Sequence, residues 1–151
     1  MWSTNLQHFF HEMSQMNDKC FIDTNIFLYG FSTKDLNKQT IAKKIVLQPY
    51  HISTQVINES CSNFIKKLTF DEDMVTSFIG SAYSRYHIIN FSESLFLKGS
   101  NIRLKYKYSY YDSLIIAAAL ESKCTILYSE DMQHKQIIEN TLQIINPFKG
   151  K

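Results

Sequence analysis

The sequence predicts an α/β domain with a mostly parallel central sheet covered by helices on both faces. Three observations carry that prediction. Short apolar runs alternate with segments of helical periodicity along most of the chain. The strand-like runs are apolar on successive residues, as strands buried on both faces require. Residues 114–120 carry no charge at all, so that helix is buried on most of its circumference rather than along one stripe. With 151 residues, 44% hydrophobic and 20% charged, the chain suits one globular domain with a substantial core.

Before the first strand, Leu6, Phe9, Phe10 and Met13 recur at helical spacing behind Ser3 or Thr4. Residues 1–16 therefore read as an N-terminal extension with a short amphipathic helix, and residues 17–151 as a single domain. Residues 20–23 form a short apolar strand that ends on Asp23. Thr24 and Asn25 follow as a turn or cap and lead into Ile26, Phe27, Leu28 and Tyr29. Ile41, Ile45 and Val46 mark a helix whose exposed side carries Lys38, Lys43 and Lys44, with Pro49 as its stop. Residues 50–53 read as a second strand. Ser53 or Thr54 then caps a helix with Ile57, Cys61, Phe64, Ile65 and Leu68 on its apolar face, and Glu59 lies off that stripe.

Asp71, Glu72 and Asp73 crowd the first turn of the next helix, where acids suit the macrodipole. Residues 86–91 read as a strand, and Ser92 or Ser94 starts a helix weakened by Gly99. Ser109 caps the uncharged helix, and helical spacing puts Asp112 on the face of Ile115, Ile116 and Ala119. Residues 124–128 form an interior strand, after which Asp131 leads into a polar turn and one short helix through Ile137 and Ile138. Residues 142–145 make the last strand.

Bulk charge excludes little. A formal net charge of +2 means that nucleic-acid binding must come from a local patch, not the overall field. Three widely spaced cysteines in apolar surroundings, Cys20, Cys61 and Cys124, indicate reduced core thiols in a cytoplasmic protein. The longest uncharged apolar run falls far below the ~20 residues that cross a bilayer. A soluble protein without membrane attachment is expected.

The acids carry the chemistry. Asp23 and Asp131 both follow strands at the C-terminal edge of a parallel sheet, where ligands of open α/β sheets bind, and Asp112 opens the helix between them. Two carboxylates ~4 Å apart repel by about 4 kcal/mol at an effective dielectric of ~20, so a cluster calls for a positive guest. An all-oxygen site without cysteine or histidine ligands suits Mg²⁺ or Mn²⁺. Such ions activate water and neutralise a phosphodiester, which points to metal-dependent phosphodiester hydrolysis. Each acid also has a plain structural reading. Asp23 and Asp131 can be helix caps, and a glutamate off the apolar stripe, such as Glu59, is ordinarily a solvated surface residue.

Read together, the Phe-Ile-Asp23-Thr24-Asn25 segment, Glu59 in the helix after Ser53-Thr54, Ser109-Tyr-Tyr-Asp112, the Tyr128-Ser129-Glu130-Asp131-Met132-Gln133 turn and the closing Asn146-Pro147-Phe148 resemble PIN-domain ribonucleases of the VapC toxin type. The similarity spans about residues 19–148. The resemblance implies a three-layer PIN-like fold and an acidic quartet of Asp23, Glu59, Asp112 and Asp131. These would hold one or two Mg²⁺ or Mn²⁺ ions and cut RNA without a covalent enzyme intermediate. Thr24, Asn25 and Ser129 match supporting polar positions. It further implies the toxin of a type II toxin–antitoxin pair, a homodimer with a cognate antitoxin. One departure is Lys135, where similar toxins often carry glycine, and the extension before residue 17 has no counterpart.

Arg103, Lys105 and Lys107 interleave with Tyr106, Tyr108, Tyr110 and Tyr111 just before Asp112, a composition able to hold phosphates and stack on unpaired bases. Arg103, Lys105, Lys107 and Tyr110 are the candidate RNA contacts, with Lys66 and Lys67 as additions. The same stretch also suits a solvated helix end with tyrosines packed on the core. Two other readings stand beside the ribonuclease: a PIN-like module that binds RNA or protein without cutting, and a structure-specific DNA nuclease.

Overall fold

The computed structural model describes residue 8 and residues 19–150. Six strands form one sheet in the order β3-β2-β1-β4-β6-β5. They are β1 (Cys20–Ile22), β2 (His51–Ser53), β3 (His87–Ile89), β4 (Ile126–Tyr128), β5 (Ile137–Ile138) and β6 (Leu142–Ile145). All neighbouring pairs are parallel except β5 with β6. The helices are α1 (Thr24–Phe31), α2 (Leu36–Val46), α3 (Thr54–Leu68), α4 (Glu72–Arg85), α5 (Glu93–Tyr106) and α6 (Tyr110–Glu121). The sheet lies between helical layers, the three-layer α/β arrangement that the alternation of apolar runs and helical segments implied.

Each helix starts where a short polar side chain accepts a backbone N–H. Asp23, Asp35, Ser53, Asp71, Ser92 and Ser109 cap α1 to α6 in turn. Four of the six strand-to-helix and loop-to-helix junctions were legible as caps for that reason. The core is continuous. Cys20, Phe21 and Ile22 of β1 are wholly inaccessible, as is Ala117 to Ala119 of α6, whose residues 113–119 are all buried. Phe27, Phe31, Phe64, Phe70 and Phe78 meet mostly edge-on where α1, α3 and α4 converge.

The chain runs outward from β1 to β2 and β3, then returns to place β4 on the other side of β1. The sheet therefore reverses its direction of winding between β1 and β4. Register puts Ile22 opposite Tyr128, so the residues that leave those two strands, Asp23 and Ser129, emerge side by side. This is the crevice where an open α/β sheet offers a ligand the most backbone and side-chain ends.

One expectation changes. Ile137 and Ile138 are not helical; they form the antiparallel edge strand β5. Glu139 and Asn140 both take positive φ, 51° and 59°, and Thr141 N–H donates to the Ile138 carbonyl, which closes a hairpin of the mirror-image turn type. Gly99, which lowers the helix propensity of α5, has a packing role there. A Cβ there would stand 2.7 Å from Leu114 Cδ2, so the missing side chain is what lets α5 lie close against α6. The amphipathic helix expected in residues 1–16 falls outside the described residues apart from His8. Among the described residues no helix is long and apolar enough to cross a membrane.

Lys135 has φ 69°, and its N–H donates to the Ile144 carbonyl at 2.7 Å. A left-handed conformation costs an L-residue about 1–2 kcal/mol, and glycine loses about 0.5–1 kcal/mol of chain entropy in compensation. Lys135→Gly is expected to stabilise the protein by about 0.5–1 kcal/mol in urea unfolding; an unchanged or lowered midpoint would show that the lysine side chain has a stabilising contact of its own.

Candidate active site

Asp23 is 6% exposed at the end of β1. Its Oδ1 accepts the Thr24 N–H at 2.7 Å and its Oδ2 accepts the Ser129 hydroxyl at 2.8 Å. Burial dominates its titration. Desolvation raises the carboxyl from the usual aspartate range to about 7, against the two hydrogen bonds that favour the ion, and the charges of Asp112 and Glu59 add to the rise. Asp112 is also raised, first by desolvation and then by the charges of Asp131 and Glu59. The four acids thus sense one another electrostatically, from four separate elements of the chain.

The next two residues of α1 serve the other acids. Thr24 Oγ1 donates to Glu59 Oε2 at 3.1 Å, and Asn25 Nδ2 donates to Asp131 Oδ2. Gln55, one turn before Glu59 on α3, donates from Nε2 to Glu59 Oε1 at 2.6 Å and more weakly to the Tyr111 carbonyl at 3.3 Å. Glu59 is therefore not a solvated surface residue: it is half-buried, turned toward α1 and tied through Gln55 to the start of α6. Asp112 owes its place to the Ser109 cap, which accepts the Asp112 N–H at 3.1 Å.

The turn that carries Asp131 is clamped from outside. Glu130 accepts the Tyr29 hydroxyl at 2.6 Å and the Lys38 ammonium at 2.8 Å. Lys38 also lies 4.5 Å from the Tyr29 ring centre and 5.4 Å from that of Phe148, and the two rings meet edge-on. Asn146 closes the far side, its N–H donating to His134 Nδ1 at 2.9 Å.

The polar contacts that sequence reasoning missed are Gln55, Lys38 and Tyr29. Gln55 had a usable signal in its four-residue spacing from Glu59; Lys38 and Tyr29 had none.

The basic and aromatic stretch divides. Lys105 pairs with Glu139 at 3.2 Å, while the Tyr106 hydroxyl accepts the Glu139 N–H and the Tyr108 hydroxyl donates to Gln136. Those three side chains hold the β5–β6 hairpin. Arg103, Lys107 and Tyr110 are exposed, and Tyr110 stacks edge-on with Tyr111 beside the α6 start.

The donor set suits a hard divalent cation. All four acids offer oxygen, Asp23 and Asp112 are displaced upward by unbalanced negative charge as well as burial, and Gln55 Oε1 is buried without a hydrogen-bond partner beside Glu59. Among the described residues no three acidic, imidazole or thiol side chains are drawn tightly enough to share one ion as they stand.

The sequence model of the PIN domain family matches residues 20–139. The chain belongs to the PIN domain family. No curated protein matches its sequence. Among solved structures, this PIN domain is similar to a chain of a toxin–antitoxin complex from Klebsiella pneumoniae, with 21% identity, a TM-score of 0.65, and 87% of this chain and 99% of that one covered. It is also similar to Mycobacterium tuberculosis VapC20, described as a sarcin-ricin loop cleaving toxin, with 14% identity, TM-score 0.59, and 75% and 90% coverage. FitAcB from Neisseria gonorrhoeae superposes at 12% identity and TM-score 0.57, with 85% and 98% covered. At these identities the likeness speaks to the fold. What the site does must be argued from its own residues.

Burial of Asp23 gives the PIN domain a pH signature. Its folded-state pKa of about 7 lies above that of an unfolded aspartate, so the folded chain holds the proton more tightly. The stabilisation from that proton is full below about pH 4 and is lost as pH rises through about 7. In chelator, the melting temperature of the wild type is expected to fall between pH 5 and pH 8, with a much flatter profile for Asp23→Asn. Parallel profiles for the two proteins would refute the assignment.

Proposed function

We propose that this PIN domain is a metal-dependent ribonuclease, the toxin of a type II toxin–antitoxin pair acting in the cytoplasm. The observation that carries the reading is the electrostatic coupling of four carboxylates at the switch point of the sheet. A purely structural role does not account for it, since each added acid raises the cost of burying the others. The similarity to VapC20, described as a sarcin-ricin loop cleaving toxin, agrees with it.

In this reading Asp23, Glu59, Asp112 and Asp131 hold Mg²⁺ or Mn²⁺. A bound divalent cation supplies the charge that offsets both the carboxylates and an incoming phosphodiester, and makes water a better nucleophile at neutral pH. The chain's own residues do the rest. Ser129 and the Thr24 N–H fix both oxygens of Asp23, Thr24 and Gln55 fix those of Glu59, and Asn25 holds one of Asp131, so three of the four carboxylates are oriented by their donors. Arg103, Lys107 and Tyr110, exposed near the start of α6, offer contacts to the RNA beyond the bond that is cut. The partners are an antitoxin, as the toxin–antitoxin complexes among the structural neighbours support, and a second copy of the chain.

Purified protein incubated with structured RNA, single-stranded RNA and DNA, with Mg²⁺, Mn²⁺ or chelator, tests this directly. RNA is expected to be cut only with a divalent ion, and Asp112→Asn is expected to lower kcat/KM by about a hundredfold or more. Cleavage of DNA alone, cleavage in chelator, or full activity of Asp112→Asn would sink the reading.

Metal binding has its own readout without turnover. At pH 8, Mg²⁺ at about a hundredfold excess over its Kd is expected to stabilise the wild type by about 2.7 kcal/mol and leave Asp23→Asn nearly unmoved. Equal shifts in both would argue against an ion at these acids.

A further inference from the structure

Beside the acids lies a cavity of about 350 Å³ that nothing above uses. Asn25 and Asp131 line it, so it borders the acidic site. Leu28, Leu68 and Tyr29 give it apolar walls, and Lys34 and Lys67 also line it. Its volume is at the lower end of ligand pockets, roughly 300–1,000 Å³, which suits one small flat group rather than a peptide helix.

Charge decides what that group carries. Lys34 and Lys67 are exposed and have no carboxylate partner among the described residues. The acids on the lining are already engaged: Glu130 by Lys38 and Tyr29, Asp131 by Asn25, and Asp35 as the cap of α2, where it accepts the Lys38 N–H. Lys34 and Lys67 are therefore the lining cations that no ion pair engages among the described residues, beside Asp35 and Asp131, whose partners are neutral donors. The lining combines two residues of the acidic site, three apolar walls and two ammonium groups. A nucleotide carries matching parts: a phosphate at the bond that is cut, a base and sugar, and a second phosphate.

We propose that this cavity is a nucleotide subsite of the ribonuclease, a reading that rests on RNA being the substrate. The base next to the bond that is cut lies against Leu28, Leu68 and Tyr29, and Lys34 and Lys67 hold the phosphate on its far side. Lys34 sits between α1 and α2 and Lys67 in the last turn of α3, so the two charges reach the same cavity from different elements. The subsite selects single-stranded RNA, because a paired base cannot leave its stack to enter the slot.

The test uses the full-length chain carrying Asp112→Asn, so that RNA binds without being cut. Anisotropy of a fluorescein-labelled, mixed-sequence single-stranded oligoribonucleotide is followed against salt in Mg²⁺. Adding Lys34→Ala and Lys67→Ala is expected to raise Kd about tenfold or more and to lower the slope of log Kd against log salt by about two. Lys98→Ala, on α5 away from the cavity, leaves both unchanged, and Lys34→Arg with Lys67→Arg restores binding. Abasic substitution along the oligonucleotide is expected to weaken binding sharply at the position flanking the cleaved bond. Unchanged affinity in the double alanine variant, or no abasic position that matters, overturns the subsite. Cleavage by the wild type is measured in parallel. RNA that is cut but bound independently of the lysines overturns the subsite alone, whereas lysine-dependent binding without cleavage overturns the nuclease reading and leaves the binding site.

Discussion

Burying the charge of Asp23 is the constraint from which the rest of the site follows. A carboxylate that is almost inaccessible at the centre of a parallel sheet must be met by donors, and the sheet itself provides them. The pairing of β1 with β4 brings the Ser129 hydroxyl to one oxygen, and the first peptide of α1 brings an N–H to the other. Those two bonds favour the ion, yet desolvation still outweighs them. The residual imbalance is a standing demand for positive charge, and it is located where the sheet changes its direction of winding. The fold does not merely display this acid; strand order and register set the balance of burial and hydrogen bonding around it.

The first turn of α1 extends that logic. Asp23, Thr24 and Asn25 are consecutive, and each engages a partner far along the chain: Ser129, Glu59 and Asp131. Three acids from β1, α3 and the turn after β4 are thereby referred to one short stretch of backbone. Asp112 reaches the site by a different route, through the Ser109 cap and the burial of the rest of α6. The Lys38–Glu130–Tyr29 clamp acts one layer further out, where it restrains the turn that carries Asp131 without touching the cleft. The cavity lined by Lys34 and Lys67 has Asn25 and Asp131 in common with the acidic site.

How much of this could be read from the sequence depended on distance along the chain. The caps at Ser53 and Ser109, the strand ending on Asp23 and the buried helix with Asp112 are local patterns, and local patterns survive in sequence. Glu59 was not legible from periodicity, because what turns it inward is Thr24, 35 positions away; only the family resemblance pointed to it. Lys38 and Glu130 lie 92 positions apart, and Lys38 read only as one of the lysines on the exposed side of its helix. The strand β5 was misread because two residues are too few to show a period, and because its turn uses Glu139 and Asn140 at positive φ without the glycine that usually marks one. Arg103, Lys105 and Lys107 looked like one basic patch, whereas the structure gives Lys105 to the hairpin and leaves the other two to solvent.

The contact between Gly99 and Leu114 has a bearing on how this sequence can change. Any side chain at position 99 must displace Leu114, which sits two residues from Asp112 on the same helix. A substitution at position 99 of α5 would therefore press on α6 at Leu114, close to the acid at the start of that helix. The outward positions of α5, among them Leu97 and Leu104, stand in solvent and carry no such penalty. One helix thus combines a position closed to drift with neighbours open to it, and the boundary between them is drawn by the spacing of two helices rather than by chemistry.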